Sequence, residues 1–136
     1  MKSYTDLERS KRLAEILPLE SVDTWWAERY AGRVENYEYI VEEKPVYYLS
    51  FTKPSEENYS QDTIKDIPCW SLAALLELLP KRIEIVDNVY ELSIYLYGIY
   101  YWNTINGNLC FKSKDKDNLV DACYETIVFL HEQKLL

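Results

Sequence analysis

The side chains that most often carry out catalysis are few in this chain, and their spacing argues against a joint role. His131 is the single histidine, and Cys123 precedes it by eight residues on the same predicted helix. At 1.5 Å of rise per residue, the two side chains are separated by roughly 12 Å along the helix axis, too far for a thiolate–imidazole pair. We therefore predict that His131 is a residue of the last helical turn, where its charge favours the helix dipole.

Asp121 and Glu125 form the one carboxylate pair that could share a hard cation, because residues four apart lie on the same face of a helix. Two carboxylates without a third ligand make a weak metal site, so a solvated acidic face is the preferred interpretation. The cysteines Cys69, Cys110 and Cys123 form no CxxC pair, which indicates neither a zinc site nor a redox dithiol. The sequence thus predicts no catalytic residue, no metal and no cofactor.

The composition limits the classes of protein that fit the chain. Its 136 residues suit one domain, and a hydrophobic content of 48% is enough for a core. A net charge of −8 disfavours direct binding to DNA or RNA and permits a basic protein partner, although acidity can also serve solubility alone. The chain shows no signal-peptide core and no apolar run of membrane-spanning length, and its three cysteines fit a reducing compartment, so we predict a cytoplasmic protein.

Three helices are predicted from apolar periodicity and capping residues. The first begins at Thr5, which has the spacing of a capping box with Glu8, and it ends at Pro18. The second has Ser71 as its N-cap and stops before a proline. The third begins after Asn118 and runs to about residue 134.

Between the helices the pattern predicts strands, at residues 34–42, 46–51, 82–86, 89–97, 99–105 and 108–112. Residues 43–45 are expected to join the first two strands in a hairpin, and Asn106 with Gly107 is expected to form a type I′ turn between the last two. Residues 53–66 are predicted to be an exposed polar loop. The order of elements predicts an α+β fold: a single domain of residues 1–136, with an antiparallel sheet of about five to six strands and three helices packed mainly on one face.

Aromatic side chains are unusually abundant, with thirteen tyrosines and four tryptophans. Alternation along the predicted strands places some of these rings on the sheet face opposite Leu92 and Ile94, where they could contact a protein partner, a sugar or a nucleobase. Cross-strand packing that only stabilises the sheet is the alternative. The candidate binding residues are Tyr95, Tyr97, Tyr101, Trp102 and, in the polar loop, Tyr59.

Four segments resemble a group of small uncharacterised proteins encoded by gut Bacteroidales, often in phages and mobile elements. They are residues 5–8 (TDLE), 13–18 (LAEILP), 67–76 (IPCWSLAALL) and 117–125 (DNLVDACYE). These segments mark the three predicted helices, and the resemblance covers those helices, about a third of the chain. The group has no assigned activity, so the resemblance implies an origin and a helical framework but supplies no catalytic residues.

Together these features favour a non-enzymatic accessory protein that binds an unknown protein partner, through the aromatic sheet face and the polar loop. Two alternatives remain open. One is an acidic inhibitor or immunity-type protein that covers the basic site of a nuclease. The other is a small-ligand binder with an apolar pocket lined by tyrosine hydroxyls. The sequence makes no prediction about oligomeric state.

Overall fold

The structure, a computed structural model, describes residues 3–51, 66–114 and 117–136. That part of the chain contains three α-helices: α1 (Leu7–Ile16), α2 (Leu72–Leu78) and α3 (Leu119–Glu132). It contains nine strands: β1 (Thr24–Arg29), β2 (Gly32–Glu35), β3 (Glu38–Val41), β4 (Val46–Ser50), β5 (Asp66–Cys69), β6 (Arg82–Ile85), β7 (Asn88–Tyr95), β8 (Gly98–Trp102) and β9 (Leu109–Lys112). The predicted α+β class, with three helices and antiparallel strands, is confirmed.

The strands are divided among three antiparallel sheets, whereas the sequence predicted five to six strands in one. The first sheet has the order β4-β1-β5, the second is the pair β2-β3, and the third has the order β6-β7-β8-β9. Successive strands pair as hairpins in the third sheet, so its order follows the sequence. The predicted polar loop at 53–66 lies outside the described residues except for Asp66, which begins β5.

The core lies between the helices and one face of the four-stranded sheet. α3 packs across β8, and both other helices pack against α3. The inner face of the sheet contributes Ile83, Leu92, Ile99 and Tyr101. From the helices come Leu13, Leu17, Leu75, Leu79, Val120, Cys123, Ile127 and Leu130. This core forms beneath the third sheet, while α1 also holds β5 of the first sheet.

Helix α1 begins two residues later than Thr5, and Asp6 is its N-cap. The Asp6 carboxylate accepts a 2.8 Å hydrogen bond from the Arg9 backbone N–H. Thr5 is fully buried, and its hydroxyl accepts from the Trp70 N–H and bonds the Ser10 hydroxyl. Because Thr5 is committed to these contacts, the predicted capping box is wrong and the neighbouring carboxylate caps the helix.

The other two N-caps are those that the sequence predicted. The Ser71 hydroxyl accepts from the Ala74 N–H at 3.2 Å, and the Asn118 side-chain oxygen accepts from Val120 and Asp121 at 2.9 and 3.2 Å. Each of these residues has extended backbone geometry, which suits an N-cap. Both helices therefore start where their capping signals place them.

The predicted hairpin between residues 34–42 and 46–51 is wrong. Residues 34–42 do not form one strand, because Asn36 and Tyr37 both have positive φ and fold the segment back on itself as the β2–β3 hairpin. β4 instead pairs with β1, with Arg29 opposite Val46 and Trp25 opposite Ser50. The segment 24–50 is thus one long hairpin whose outer half is β2–β3.

The loop between β8 and β9 also differs from the predicted type I′ turn. Positive φ occurs at Gly107 but not at Asn106. Asn103 organises a longer loop, in which its side-chain oxygen accepts from the Ile105 and Asn106 N–H groups and its backbone N–H donates to Asn108. The two strands are joined as expected, but the buried Asn103 side chain substitutes for the two-residue turn.

The turn between β6 and β7 contains a conformation that its residues do not favour. Val86 and Asp87 have φ of 49° and 63°, as in a type I′ turn, and Val86 is 84% exposed. A β-branched residue at positive φ is strained, and asparagine is the preferred residue there. Val86→Asn is expected to raise the free energy of unfolding by about 1 kcal/mol. Urea denaturation would measure it, with Val89→Asn on the adjoining strand as a control that gives no increase.

Candidate interaction surfaces

The β2–β3 hairpin, residues 32–41, is the most exposed structured part of the described chain, and we call it the arm. Every residue of the arm is exposed except Ile40, which is partly covered. Two residues connect β1 to β2, but four connect β3 to β4, so a bulge separates the arm from the first sheet. A hydrogen bond of 2.8 Å from the Glu42 N–H to the Ala31 oxygen continues the ladder across this junction.

One face of the arm is entirely apolar. The register pairs Val34 with Tyr39 and Gly32 with Val41, which places these four residues on the same side. Val34, Tyr39 and Val41 are between 51% and 74% exposed. A Cβ atom added at Gly32 would overlap the Tyr39 ring, so the glycine lets the ring lie flat over β2. We call Gly32, Val34, Tyr39 and Val41 the apolar arm face.

The opposite face of the arm is acidic, and its charges are unevenly paired. Arg33 forms ion pairs with Glu35 and Glu42. Glu38 lies directly across from Glu35 in the register, and like charges in that position destabilise a strand pair. Within the described residues, no cation lies within ion-pair distance of Glu38. The Glu35–Glu38 pair is thus only half compensated in the free protein.

The tip of the arm places a tyrosine at its most exposed point. Tyr37 is fully solvent-exposed, with a relative accessibility of 103%, and has a φ of 62°. Asn36 suits the first central position of the turn, but the second central position normally holds glycine. Folding of the hairpin alone does not account for a tyrosine there, so its ring is available for contacts outside the chain.

A second group of exposed or half-exposed apolar side chains lies on the third sheet and its β7–β8 turn. We call it the aromatic surface: Tyr95, Leu96, Tyr97, Tyr100 and Trp102. Tyr95 is 69% exposed, Tyr97 39% and Trp102 37%. Tyr95 on β7 lies opposite Gly98, four residues from Trp102 on β8. The two positions are therefore roughly 13 Å apart along the strand direction, at about 3.3 Å per residue. The Tyr100 ring lies between them over Gly98, and Lys112 sits 5.9 Å from its centre. The binding roles of Tyr95, Tyr97 and Trp102 stay predictions.

Tyr101 does not belong to this surface, and its prediction as a contact residue is corrected. Its side chain is fully buried, and its hydroxyl donates a 2.7 Å hydrogen bond to the Pro80 carbonyl oxygen. The register places it opposite Leu92 and Phe111, on the inner face of the sheet. Burial also raises the pKa of the Tyr101 hydroxyl. The remaining candidate, Tyr59, lies outside the described residues.

The cysteines of the described chain are buried or half-buried, whereas its histidine is exposed. Cys69 and Cys123 are buried, and burial raises the pKa of the Cys123 thiol to about 12, so this sulfur is protonated at neutral pH. His131 is exposed on the last turn of α3, as expected. Across residues 3–51, 66–114 and 117–136, no cluster of three potential metal ligands occurs.

The predicted solvated acidic face on α3 is wrong for Asp121. This residue is buried, and its carboxylate lies 3.6 Å from the Arg9 guanidinium, which in turn stands over the Tyr124 ring. Glu125 accepts a 2.6 Å hydrogen bond from the Lys114 backbone N–H. Both carboxylates therefore hold α3 to its neighbours.

Three open clefts in the described part of the chain flank the arm, α2 and the segment before β1. One of about 500 Å³ lies at the base of the arm beside Arg33, Ile40 and Lys44, and another of about 440 Å³ lies between residues 20–23 and α2. A third, of about 360 Å³, is bordered by Leu19 and Trp25. None of these three clefts has a tyrosine in its lining. Among the described helices, none is both long enough and apolar enough to cross a bilayer.

Sequence reasoning missed the arm as a site because it treated residues 34–42 as one strand. In a continuous strand, Val34 and Tyr39 would point to opposite faces, and no wholly apolar face would exist. The turn at Asn36 and Tyr37 brings the two side chains to the same face. The available signal was Asn36, which favours positive φ, between two alternating segments.

Comparison of the chain with protein-family models, with curated proteins and with solved structures gives no match.

Proposed function

We propose that this chain is a non-enzymatic accessory protein that acts by binding another protein, with the arm as its main contact element. The observation that carries the proposal is the apolar arm face, where Val34, Tyr39 and Val41 share one exposed side of a two-stranded hairpin. A hairpin of two strands is only marginally stable by itself, and apolar faces of this kind are typical of interaction sites. A partner that covers the face would bury these side chains and stabilise the arm.

The residue types of the arm support the same proposal. Tyrosine gives a large contact area with few rotatable bonds, which is why it is enriched where proteins meet. Tyr37 and Tyr39 stand at the tip and the centre of the arm, within reach of one partner. The aromatic surface, with Tyr95, Tyr97 and Trp102, is a second contact region under this proposal.

A binding role fits the described chemistry better than a catalytic one. The buried Cys123 thiol is protonated, and Asp121 is held by Arg9. Catalysis by nucleophiles or bases needs such groups accessible and near one another. The helical resemblance to proteins of phages and mobile elements fits an accessory role of this kind.

The acidic-inhibitor hypothesis is a specific form of this proposal, and the net charge of −8 is the observation that favours it. Opposite charge accelerates encounter between proteins and makes the association rate fall with ionic strength. A partner with a basic active site, such as a nuclease, would meet this condition. An association rate that does not change with salt would argue against this form.

The arm is tested by removing its apolar character while retaining strand-forming residues. The variant combines Val34→Thr, Tyr39→Thr and Val41→Thr, since threonine favours strands but lacks the apolar contact area. A matched control combines Leu19→Thr, Val86→Thr and Ile105→Thr, three exposed apolar residues outside the arm. The free energy of unfolding of both variants is expected to lie within about 1 kcal/mol of that of the parent protein, because the altered side chains are exposed.

The measurement is a display selection of random peptides on the immobilised full chain, followed by affinity measurements on the variants. Peptides that use the arm are expected to bind the arm variant about tenfold or more weakly, and to bind the control like the parent. Selected peptides that bind the parent and the arm variant equally would contradict the proposal. A selection that yields no peptide dependent on the arm would contradict it as well.

A further inference from the structure

The outer edge of β3 restricts the chemistry of a partner more closely than the apolar arm face does. The arm is a sheet of two strands in the described chain, so the outer edge of each strand presents backbone N–H and C=O groups that no other described strand pairs. Such an edge is a template for an additional strand from another chain. The side chains along the edge then decide which strand can pair.

The two faces of β3 differ in chemistry, although the apolar Ile40 lies on the same face as the glutamates. Tyr39 and Val41 lie on the apolar arm face, whereas Glu38 and Glu42 lie on the opposite face. A strand added beside β3 would place its own side chains next to these, alternately on the two faces. Apolar residues would extend the apolar arm face, and cations would lie beside the glutamates.

The two edges of the arm differ in charge, which selects β3. On β2, Arg33 forms ion pairs with Glu35 and with Glu42, so this strand carries its own cation. On β3, Glu38 faces Glu35 and has no ion pair with a residue in the described part of the chain. A lysine or arginine beside Glu38 would form an ion pair with it and would also reduce the repulsion between Glu35 and Glu38. Both effects favour a basic partner.

A second copy of this chain does not satisfy the edge. Antiparallel pairing of β3 with β3 would bring Glu38 and Glu42 of one copy beside the same glutamates of the other. The net charge of −8 per chain adds to this repulsion. Charged residues on an edge strand are a known means of preventing pairing between identical edges. Pairing of β3 with β3 of a second copy is therefore disfavoured, whereas pairing with a basic strand is favoured.

We propose that β3 receives an extended segment of a partner protein, in which a basic and an apolar residue are followed by any residue, then by an apolar and a basic residue. This inference rests on the proposed function and adds the chemistry of the partner. The five positions lie beside Glu38, Tyr39, Ile40, Val41 and Glu42 in turn. Because the pattern is the same in both directions, it applies to parallel and to antiparallel pairing.

The peptide selection described above tests the pattern directly. Peptides that lose affinity for the arm variant are expected to contain basic–apolar–any–apolar–basic segments. If such arm-dependent peptides are enriched without this pattern, the inference fails while the proposed function stands. If no enriched peptide depends on the arm, the proposed function fails.

Charge and backbone tests then examine the binding mode of the selected peptides. Glu38→Lys is expected to weaken binding about tenfold or more, whereas Glu84→Lys, at an exposed position of β6, changes it less than about twofold. Raising NaCl from about 50 to 300 mM is expected to weaken binding to the parent. Two further peptides carry N-methyl groups on alternate residues, one at the odd positions and the other at the even positions. Only every second N–H of an added strand points to β3, so one of the two peptides is expected to lose binding and the other to retain it. Equal binding to Glu38→Lys, or to both methylated peptides, overturns the inference.

Analytical sedimentation of the parent chain without peptide tests the competing occupant. The parent is expected to remain monomeric at concentrations where selected peptides saturate it. Self-association that the Val34→Thr, Tyr39→Thr, Val41→Thr variant abolishes would assign the edge to a second copy and overturn the inference.

Discussion

Replacement of Tyr101 by alanine is expected to lower the free energy of unfolding by about 3 to 5 kcal/mol, as for other large buried aromatic side chains. Tyr101 is completely buried in the sheet face that α3 covers, and the substitution leaves a cavity there. It also removes the hydroxyl that donates to the Pro80 carbonyl, so that a buried acceptor loses its partner. Urea denaturation followed by tryptophan fluorescence would measure the loss.

Two matched variants separate the contributions and test the placement of the ring. Tyr101→Phe retains the ring and removes the hydroxyl, and is expected to cost about 1 kcal/mol. Tyr95→Ala alters an exposed tyrosine of the same sheet and is expected to change stability by less than about 0.5 kcal/mol. A Tyr101→Ala protein as stable as Tyr95→Ala would show that residue 101 is not in the core. For a ligand that binds the aromatic surface, Tyr95→Ala is expected to weaken binding more than Tyr101→Phe does, because the Tyr95 ring is exposed and the Tyr101 ring is buried.

Local capping signals predicted the start of two helices because they depend only on residues next to each other in the chain. Ser71 and Asn118 accept hydrogen bonds from backbone groups two or three residues ahead. The distant Asp23 does contact Ser71, but it accepts the hydroxyl proton, so the hydroxyl oxygen still accepts from the Ala74 N–H. The helical framework around α2 and α3 was therefore predictable.

Thr5 is a case in which the local capping signal gives the wrong N-cap. Its spacing to Glu8 suits a capping box, but its hydroxyl meets Trp70, which is 65 residues away in the chain. A sequence pattern cannot rank a local cap against a contact that exists only after β5 is in place. Asp6 then caps α1 with little loss, because aspartate is as good an N-cap as threonine.

Strand register accounts for the errors in the candidate site. Alternation establishes which residues of one strand share a face, but the pairing partner decides which face is inside. Tyr101 is inside because it pairs with Leu92, and Trp102 is outside because it pairs with Glu91. The arm was missed for a related reason, since a turn without glycine at Asn36 and Tyr37 gave no break in the pattern.

The second large effect is expected at Thr5, which joins four parts of the fold. Its hydroxyl bonds Ser10 of α1 at 2.6 Å and accepts from the Trp70 N–H at 3.2 Å. Its carbonyl oxygen accepts from the Trp26 indole of β1 at 2.9 Å. The Cys69 sulfur lies 3.5 Å from both oxygens. The described N-terminal residues are thus attached to α1, β1 and the end of β5 through a single buried side chain and its backbone.

Thr5→Val is expected to lower the free energy of unfolding by about 2 to 3 kcal/mol, although it preserves the shape of the side chain. Valine offers no acceptor, so the Trp70 N–H and the Ser10 hydroxyl lose a partner in a region closed to water. Thr5→Ser retains the hydroxyl and loses one methyl group, and is expected to cost about 1 kcal/mol. Thr104→Val, at an exposed position, is expected to change stability by less than about 0.5 kcal/mol. If Thr5→Val and Thr104→Val have the same urea midpoint, the hydroxyl does not hold these elements together. The backbone hydrogen bonds of residue 5 and the packing of its side chain would then secure the N-terminal segment.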